Sequence, residues 1–312
     1  MANNRRAVLL LCFAIVYLVW GSSYLVTRIG VQELPPFLFG GVRFVIGGLL
    51  LFVIARLLPQ RGARLSRVEW RHIFVVGFFT VLISHGFNAW ALQWVPSNQA
   101  ALLNVSAAFW IALLGASGKR AHPVTGLVAI GLLIGFVGVV LVMWPDRSAA
   151  SSTMIVSPYG SLVPQLGILL GCFGWAVGTI YMRKAEPQLD LLTFTGLQMF
   201  AGGIMMLGLA YATGQLGGWR WSTPGLLALG YMTLFSSCLA YTAYAWLSQN
   251  ASPVQVGTYS FVNPAIATLL GWLFLSERLN AAQIIGMVVL LAGVLLVSWP
   301  QRPTAAAADG SA

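Results

Sequence analysis

Trp20-Gly-Ser-Ser-Tyr24-Leu-Val-Thr-Arg28 returns 155 positions later as Trp175-Ala-Val-Gly-Thr179-Ile-Tyr-Met-Arg183. Working outward in the same register, Phe39 falls on Phe194, Gly41 on Gly196 and Gly47-Gly48 on Gly202-Gly203. Further along, Gly131 falls on Gly286, Gly138 on Gly293, and Trp144-Pro145 on Trp299-Pro300. Between them the offset slips to 153, pairing Thr80 with Thr233 and Ser84 with Ser237. Matches of Gly and Leu come cheaply in an apolar chain, whereas Trp, Phe and Pro held in one register do not. The chain contains one pattern twice.

Composition fixes the solvent in which that pattern folds. Hydrophobic residues make up 58% of the 312 residues and charged ones 8%, against about a quarter charged in soluble domains. Water cannot solvate so apolar a surface, so the chain reads as a polytopic membrane protein. At roughly 20 residues per crossing, ten apolar segments can be marked, near 7–28, 36–58, 72–94, 97–117, 124–144, 166–183, 191–211, 225–247, 253–275 and 281–299. They are too long and continuous for barrel strands, and a lipid-exposed backbone must satisfy its own hydrogen bonds. The expected fold class is an all-α membrane protein of ten transmembrane helices.

The expected domains are a first five-helix repeat over 1–145, a linker over 146–165, a second repeat over 166–300, and a small, polar, disordered tail over 301–312. Five is odd, so the second repeat enters the membrane from the opposite side and the repeats are inverted. Charge sets the orientation. With the N-terminus inside, twelve basic residues (Arg5, Arg6, Arg56, Arg61, Arg64, Arg67, Arg71, Lys119, Arg120, Arg183, Lys184 and Arg302) fall on the cytoplasmic side. Only Arg28, Arg147, Arg220 and Arg278 fall outside. Both termini are therefore expected in the cytoplasm, with the linker on the far side. The first run ends in Gly-Ser-Ser-Tyr24 without a cleavage site and reads as a retained span. The net charge of +10 is scattered rather than gathered, which argues against a nucleic-acid partner. Cys12, Cys172 and Cys238 lie in apolar runs and offer no disulfide framework.

These features together resemble the ten-helix EamA-type members of the drug/metabolite transporter superfamily. The resemblance covers roughly residues 8–300. It rests on Trp20-Gly-Ser-Ser-Tyr24 with Arg28-Ile-Gly30, on Pro35-Pro36 through Gly41-Val-Arg43-Phe44, on Gly174-Trp175-Ala176, and on Tyr259-Ser-Phe-Val-Asn263-Pro264 leading to Glu277-Arg-Leu279. It implies a bacterial inner-membrane exporter of amino acids or other small metabolites, working by alternating access through a cavity lined by helices 1, 3, 4, 6, 8 and 9. Multidrug transport, or transport of another metabolite such as a nucleotide sugar, is the alternative. The first half carries Ser106 where the second has Pro264, so the sequence leaves open whether both halves bend alike.

Spacing picks out candidates on those helices. Phe78, Val81, His85 and Asn88 share one α-helical face of the third span, and their repeat partners are Tyr231, Leu234, Cys238 and Tyr241 of the eighth. Trp20, Tyr24 and Thr27 share a face of the first span; Trp175, Thr179 and Met182 share one of the sixth. Trp20, Tyr24, Phe78, His85, Asn88, Trp175, Tyr231, Tyr241, Tyr259 and Asn263 are the expected substrate-binding residues. An aromatic cavity with a few polar groups suits an amphipathic, net-neutral small molecule; the competing reading is that these rings only fill a core. His85 is a mid-membrane ionisable group and so a functional candidate, or else a neutral imidazole bonded to a nearby hydroxyl. Arg43 could attract a substrate carboxylate, but snorkelling or tying carbonyls together is the stronger reading, because Gln198 holds the matching position without a charge. Asn263-Pro264 should interrupt the ninth span, with Pro264 as hinge or static kink.

Glycines put small faces on the fifth and tenth spans for close packing, and the same faces would serve a homodimer. No cofactor, metal or phosphate loop is expected: His72, His85 and His122 lie on separate segments and no Gly-Lys-Ser/Thr motif occurs. An intramembrane enzyme would have only His85 as base, and a scaffold would not explain the inverted repeat. The partners expected are the lipid bilayer and a small-molecule substrate. Glu33, Glu69, Asp146, Glu186, Asp190 and Asp309 are placed in loops or tails and Glu277 after the ninth span, so no carboxylate is expected at the bilayer midplane.

Overall fold

The computed structural model describes residues 2–57, 65–116, 125–144, 157–251, 255–256 and 258–298. Arg61, Arg64, Lys119, Arg120, His122, Arg147, Trp299-Pro300, most of the 146–165 linker and the 301–312 tail lie outside the described residues. Among the described residues every regular element is a helix. Eight helices are long and apolar enough to cross a membrane: Arg5–Glu33, Pro36–Leu57, Arg67–Ala91, Ser97–Gly115, Leu162–Ala185, Leu191–Ala212, Thr223–Leu247 and Ala281–Ser298. The shorter apolar helices Gly126–Val142 and Tyr259–Leu275 are the fifth and ninth spans, which brings the number among the described residues to ten. The chain is an all-α, multi-pass membrane protein. Its outer face carries large apolar side chains, with Leu133 and Phe274 each 69% exposed, as lipid rather than water requires.

Polar caps set where several spans begin. Ser66 accepts from the Glu69 N–H, and in the second half Ser222 accepts from the Gly225 N–H, so the third and eighth spans start alike. Asp190 caps the seventh span through the Thr193 N–H. The Ser66 cap starts the third span several residues before the apolar run, which corrects the placement of Glu69 in a loop. Glu69 lies in the first turn, 4% exposed, with Oε1 accepting from the Gln188 N–H at 3.0 Å. Glu33 likewise closes the first helix.

Close packing at small residues relates the halves by a pseudo-two-fold. A Cβ added at Gly131 would come 2.9 Å from the Gly293 carbonyl oxygen, and one at Gly286 would come 3.0 Å from the Gly138 carbonyl oxygen. Each contact is the other with the halves exchanged. The second and seventh spans obey the same rule: Gly41 faces Leu207 as Gly196 faces Phe52, and Gly48 faces Phe200 as Gly203 faces Val45. Van der Waals fit, rather than hydrophobic drive, holds helices together in lipid, so these positions must stay small. The glycine faces of the fifth and tenth spans are consumed by each other and are not free for a second copy. The repeat pair Phe39 and Phe194 is fully buried on both sides.

Two irregularities position the interior side chains. The third span is π-helical over Gly77–Gly86 and the eighth over Met232–Ala240, at matching depths of the two repeats. Wider turns of this kind are rare and break α-helical facing. The fourth span breaks between Ser97–Asn104 and Ala107–Gly115. There the Asn104 amide donates to the Ala100 carbonyl at 2.8 Å, and the bonds tighten to Val105 N–H on Leu102 and Ser106 N–H on Leu103. In the ninth span the helix Tyr259–Leu275 runs through Pro264 without interruption. The expected interruption at Asn263-Pro264 is not seen: proline sits in the second turn, where it removes one helical donor without ending the helix. The break in the fourth span therefore has no counterpart at the proline itself.

Candidate functional site

At the centre, five aromatic side chains from five helices form a continuous chain. Trp175 of the sixth span meets the His85 ring edge-on at 5.8 Å, and His85 Nε2 lies 3.3 Å from the Tyr241 hydroxyl of the eighth. Tyr241 meets Trp20 of the first span at 5.3 Å, and Trp20 meets Tyr259 of the ninth at 5.4 Å, both edge-to-face. Trp20 and Trp175, equivalent in the two repeats, therefore stand on either side of the His85–Tyr241 pair. All five side chains are half-buried. Edge-to-face geometry directs ring faces outward for a guest ring or cation, while Tyr241 and His85 supply hydrogen bonding.

Two aromatics that the sequence reading passed over pack against the chain. Tyr244 lies 5.1 Å from Trp20 and 6.1 Å from Tyr259, and its position three residues after Tyr241 was a usable helical signal. Phe44 lies 4.9 Å from the His85 ring and is fully buried beneath it.

The other expected residues are placed elsewhere. Tyr24 packs, half-buried, on the large apolar cluster that includes Leu103 and Cys172. Asn88 donates to the Asn104 side-chain oxygen at 2.8 Å, which ties the third span to the break in the fourth. The Tyr231 hydroxyl is engaged with Ser22 at 2.7 Å and its ring stacks on Phe235. Asn263 is buried with its side-chain oxygen unpartnered, and Pro264 follows it inside the helix. Phe78 is not part of the chain: it is 39% exposed and pairs with Phe79. The physical reason is the π-helical stretch, which spoils the α spacing that had put Phe78 on the face of His85.

Arg43 neither snorkels nor ties carbonyls. It is buried in the second span, donating from Nε to Ser237 at 3.0 Å and from a terminal nitrogen to Ser236 at 3.1 Å. Its guanidinium carbon lies 4.4 Å from the centre of the Phe44 ring. The matching Gln198 accepts a weaker bond from Thr80 at 3.4 Å, so the seventh span is tied to the third as the second is to the eighth, though about one turn away along the partner helix.

Polar clusters close both ends of the bundle. At one, Arg28 pairs with Glu277 at 3.2 Å and donates to the Leu92 and Val95 carbonyls. Glu277 also accepts from the Ser97 N–H and hydroxyl and from the Asn98 N–H, at 2.9, 2.8 and 3.1 Å. A carboxylate thus caps the fourth span, where the helix presents unsatisfied donors. At the other end His72 Nδ1 bonds the Tyr181 hydroxyl at 2.9 Å, and the Tyr17 hydroxyl bonds Thr258 at 2.5 Å. A groove of about 410 Å³ between the ninth and tenth spans, lined by Phe261, Pro264, Thr268, Trp272, Met287 and Leu291 among others, is largely apolar and separate from the aromatic chain. Among the described residues no three His, Cys, Asp or Glu side chains gather where a metal ion could be held.

The sequence profile of the EamA-like transporter family matches residues 7–144 and 163–299. The chain is similar to an uncharacterized transporter of Bacillus subtilis, YvbV, at 26% identity covering 98% of this chain and 96% of that one. It is also similar to an uncharacterized inner membrane transporter of Escherichia coli, YedA, at 28% identity covering 93% and 92%. A solved crystal structure at 21% identity superposes with a TM-score of 0.62 over 94% of this chain and 98% of that chain, a likeness of fold.

Proposed function

The chain belongs to the EamA-like transporter family and is a membrane transporter with a small-molecule substrate, and on that premise we propose that it exports small amphipathic metabolites, amino acids first among them, by alternating access. The observation that carries this reading is the aromatic chain Trp175–His85–Tyr241–Trp20–Tyr259, which joins both repeats where their pseudo-symmetry meets. A guest there would touch helices of both halves, so closing one half and opening the other moves the guest's access from side to side. Trp20, His85, Trp175, Tyr241 and Tyr259 form the proposed site, with Tyr244 and Phe44 lining it. Tyr24, Asn88, Tyr231 and Asn263 support it from the flanking helices.

The proposed setting is a bacterial inner membrane, in line with the name given to YedA, with both termini cytoplasmic as the distribution of Arg and Lys favours. The proposed units are repeats over 1–145 and 166–300 and an extracytoplasmic linker over 146–165. Acidic groups among the described residues sit at span ends or in the loops between spans, so a cationic drug would meet ring faces but no fixed counter-charge, which disfavours net-cationic substrates. The test is uptake of a radiolabelled solute panel (amino acids, cationic drugs, nucleotide sugars) into proteoliposomes. Trp20→Ala, Trp175→Ala, His85→Gln and Tyr241→Ala should each impair flux in folded, monodisperse protein. Unchanged flux in all four variants removes the central site.

A further inference from the structure

We infer that Arg43 is the anchor for a substrate carboxylate, so that the transporter selects small molecules pairing an apolar or aromatic body with a carboxylate and does not require an amine. The inference rests on the central site proposed above and adds its charge selectivity. Arg43 is 5% exposed, inside a membrane span, where a charge costs several kcal/mol unless it is compensated. Among the described residues it has no anionic partner; its hydrogen bonds go to two neutral serine hydroxyls. Guanidinium carries five N–H donors in a rigid fork. Two are used here, and the Phe44 face gives partial compensation. Three donors remain for an acceptor.

Position turns that unspent charge toward the substrate. Arg43 and His85 lie against the same ring, with the guanidinium carbon 4.4 Å and the imidazole centroid 4.9 Å from the Phe44 centre. His85 is the second link of the aromatic chain, between Trp175 and Tyr241. In the proposed pose the guest's ring occupies the Trp20–Tyr241 side and its polar end points past His85 toward the guanidinium. A carboxylate there receives charge-assisted bonds, about twice as strong as those Arg43 makes to hydroxyls. A substrate amine has no equivalent: the acidic groups among the described residues lie at span ends or between spans, and only ring faces are offered to it. The asymmetry between the repeats fits this role. Gln198 ties the seventh span to the third at the matching position without a charge, so a structural tie alone does not need arginine.

The experiment measures uptake of four labelled probes sharing one ring, L-phenylalanine, 3-phenylpropionate, L-phenylalaninamide and phenethylamine, into proteoliposomes of the full chain. The two acids should be taken up at least about tenfold better than the amide and the amine, the scale of a hydrogen bond to a charged group. Arg43→Gln should abolish that ratio, a readout a purely structural role would not move. Should Arg43→Gln fail to fold, Arg43→Lys carries the test: it keeps the charge but loses the planar fork, so the ratio should fall several-fold, and an unchanged ratio overturns the anchor. Equal uptake of acids, amide and amine by the unaltered protein overturns the anchor but leaves the aromatic site standing if Trp20→Ala still abolishes uptake. Uptake of none of the four by folded protein overturns both.

Discussion

Nε of Arg28 lies 3.2 Å from Oε1 of Glu277, joining the first span to the segment that follows the ninth. Both side chains are largely buried, and the same carboxylate caps the fourth span, so one group fixes three helices at one end of the bundle. Removing one partner strands the other. Glu277→Ala should lower stability by about 3 kcal/mol, seen as earlier thermal unfolding in detergent. Arg28→Ala with Glu277→Ala should cost less than the sum of the single changes; strict additivity would show that the pair is not coupled.

Glycine contacts should divide sharply by location. Gly293→Leu or Gly138→Leu would drive a side chain into backbone 2.5 Å from the ideal Cβ and should prevent assembly of the fifth and tenth spans, giving aggregated material on size exclusion. Gly208, inside the seventh span with nothing within 4 Å, should accept alanine with a gain of about 0.5 kcal/mol in stability. Equal tolerance at the two kinds of site would contradict the helix pairing.

Substrate-driven flux should proceed with or without an imposed pH gradient. The acidic groups among the described residues lie at span ends or between spans, and His85 is engaged with Tyr241. Among the described residues His85 is the one imidazole in the aromatic chain, the side-chain type best suited to proton exchange. Uphill accumulation driven by the pH gradient and lost in His85→Gln would make it a coupling residue and refute facilitated exchange.

Orientation can be read with thiol reagents in whole cells, in a background freed of Cys12, Cys172 and Cys238. Tyr159→Cys and Arg67→Cys both sit at exposed positions. An impermeant reagent should label the first and spare the second; the reverse pattern places the termini outside.

Much of the framework was legible because it rests on local, repeated signals. Span positions follow from run length, and the Trp, Phe and Gly register translated directly into exchanged helix contacts. The interior was less legible. Phe78 was assigned to the site by α-helical spacing, which the π-helical stretch invalidates, and no residue in Gly77–Gly86 announces that conformation. Pro264 drew attention as a break although the helix runs through it, while the fourth span breaks where the Asn104 side chain competes for a backbone carbonyl. Glu69 was read as a loop acid because its partner, the Gln188 N–H, is remote in sequence; Glu277 does follow the ninth span, but its cap on the Ser97 turn is equally remote and was not foreseen. The aromatic chain fell between these extremes: five of its members were individually suspected, but their order across five helices is a property of packing.

The tie from Arg43 to Ser236 and Ser237 has no charged equal in the other half, where Gln198 meets Thr80. In a carrier of inverted halves, the two facing states differ by which half adopts which shape. Halves unlike in charge at this position make those states unequal in energy, so the empty carrier should rest with one side preferred before any solute gradient exists. Exchanging the pair, Arg43→Gln with Gln198→Arg, should then tilt the resting preference toward the opposite side of the membrane, measurable as a change in which face of the unloaded protein admits a thiol reagent to the centre.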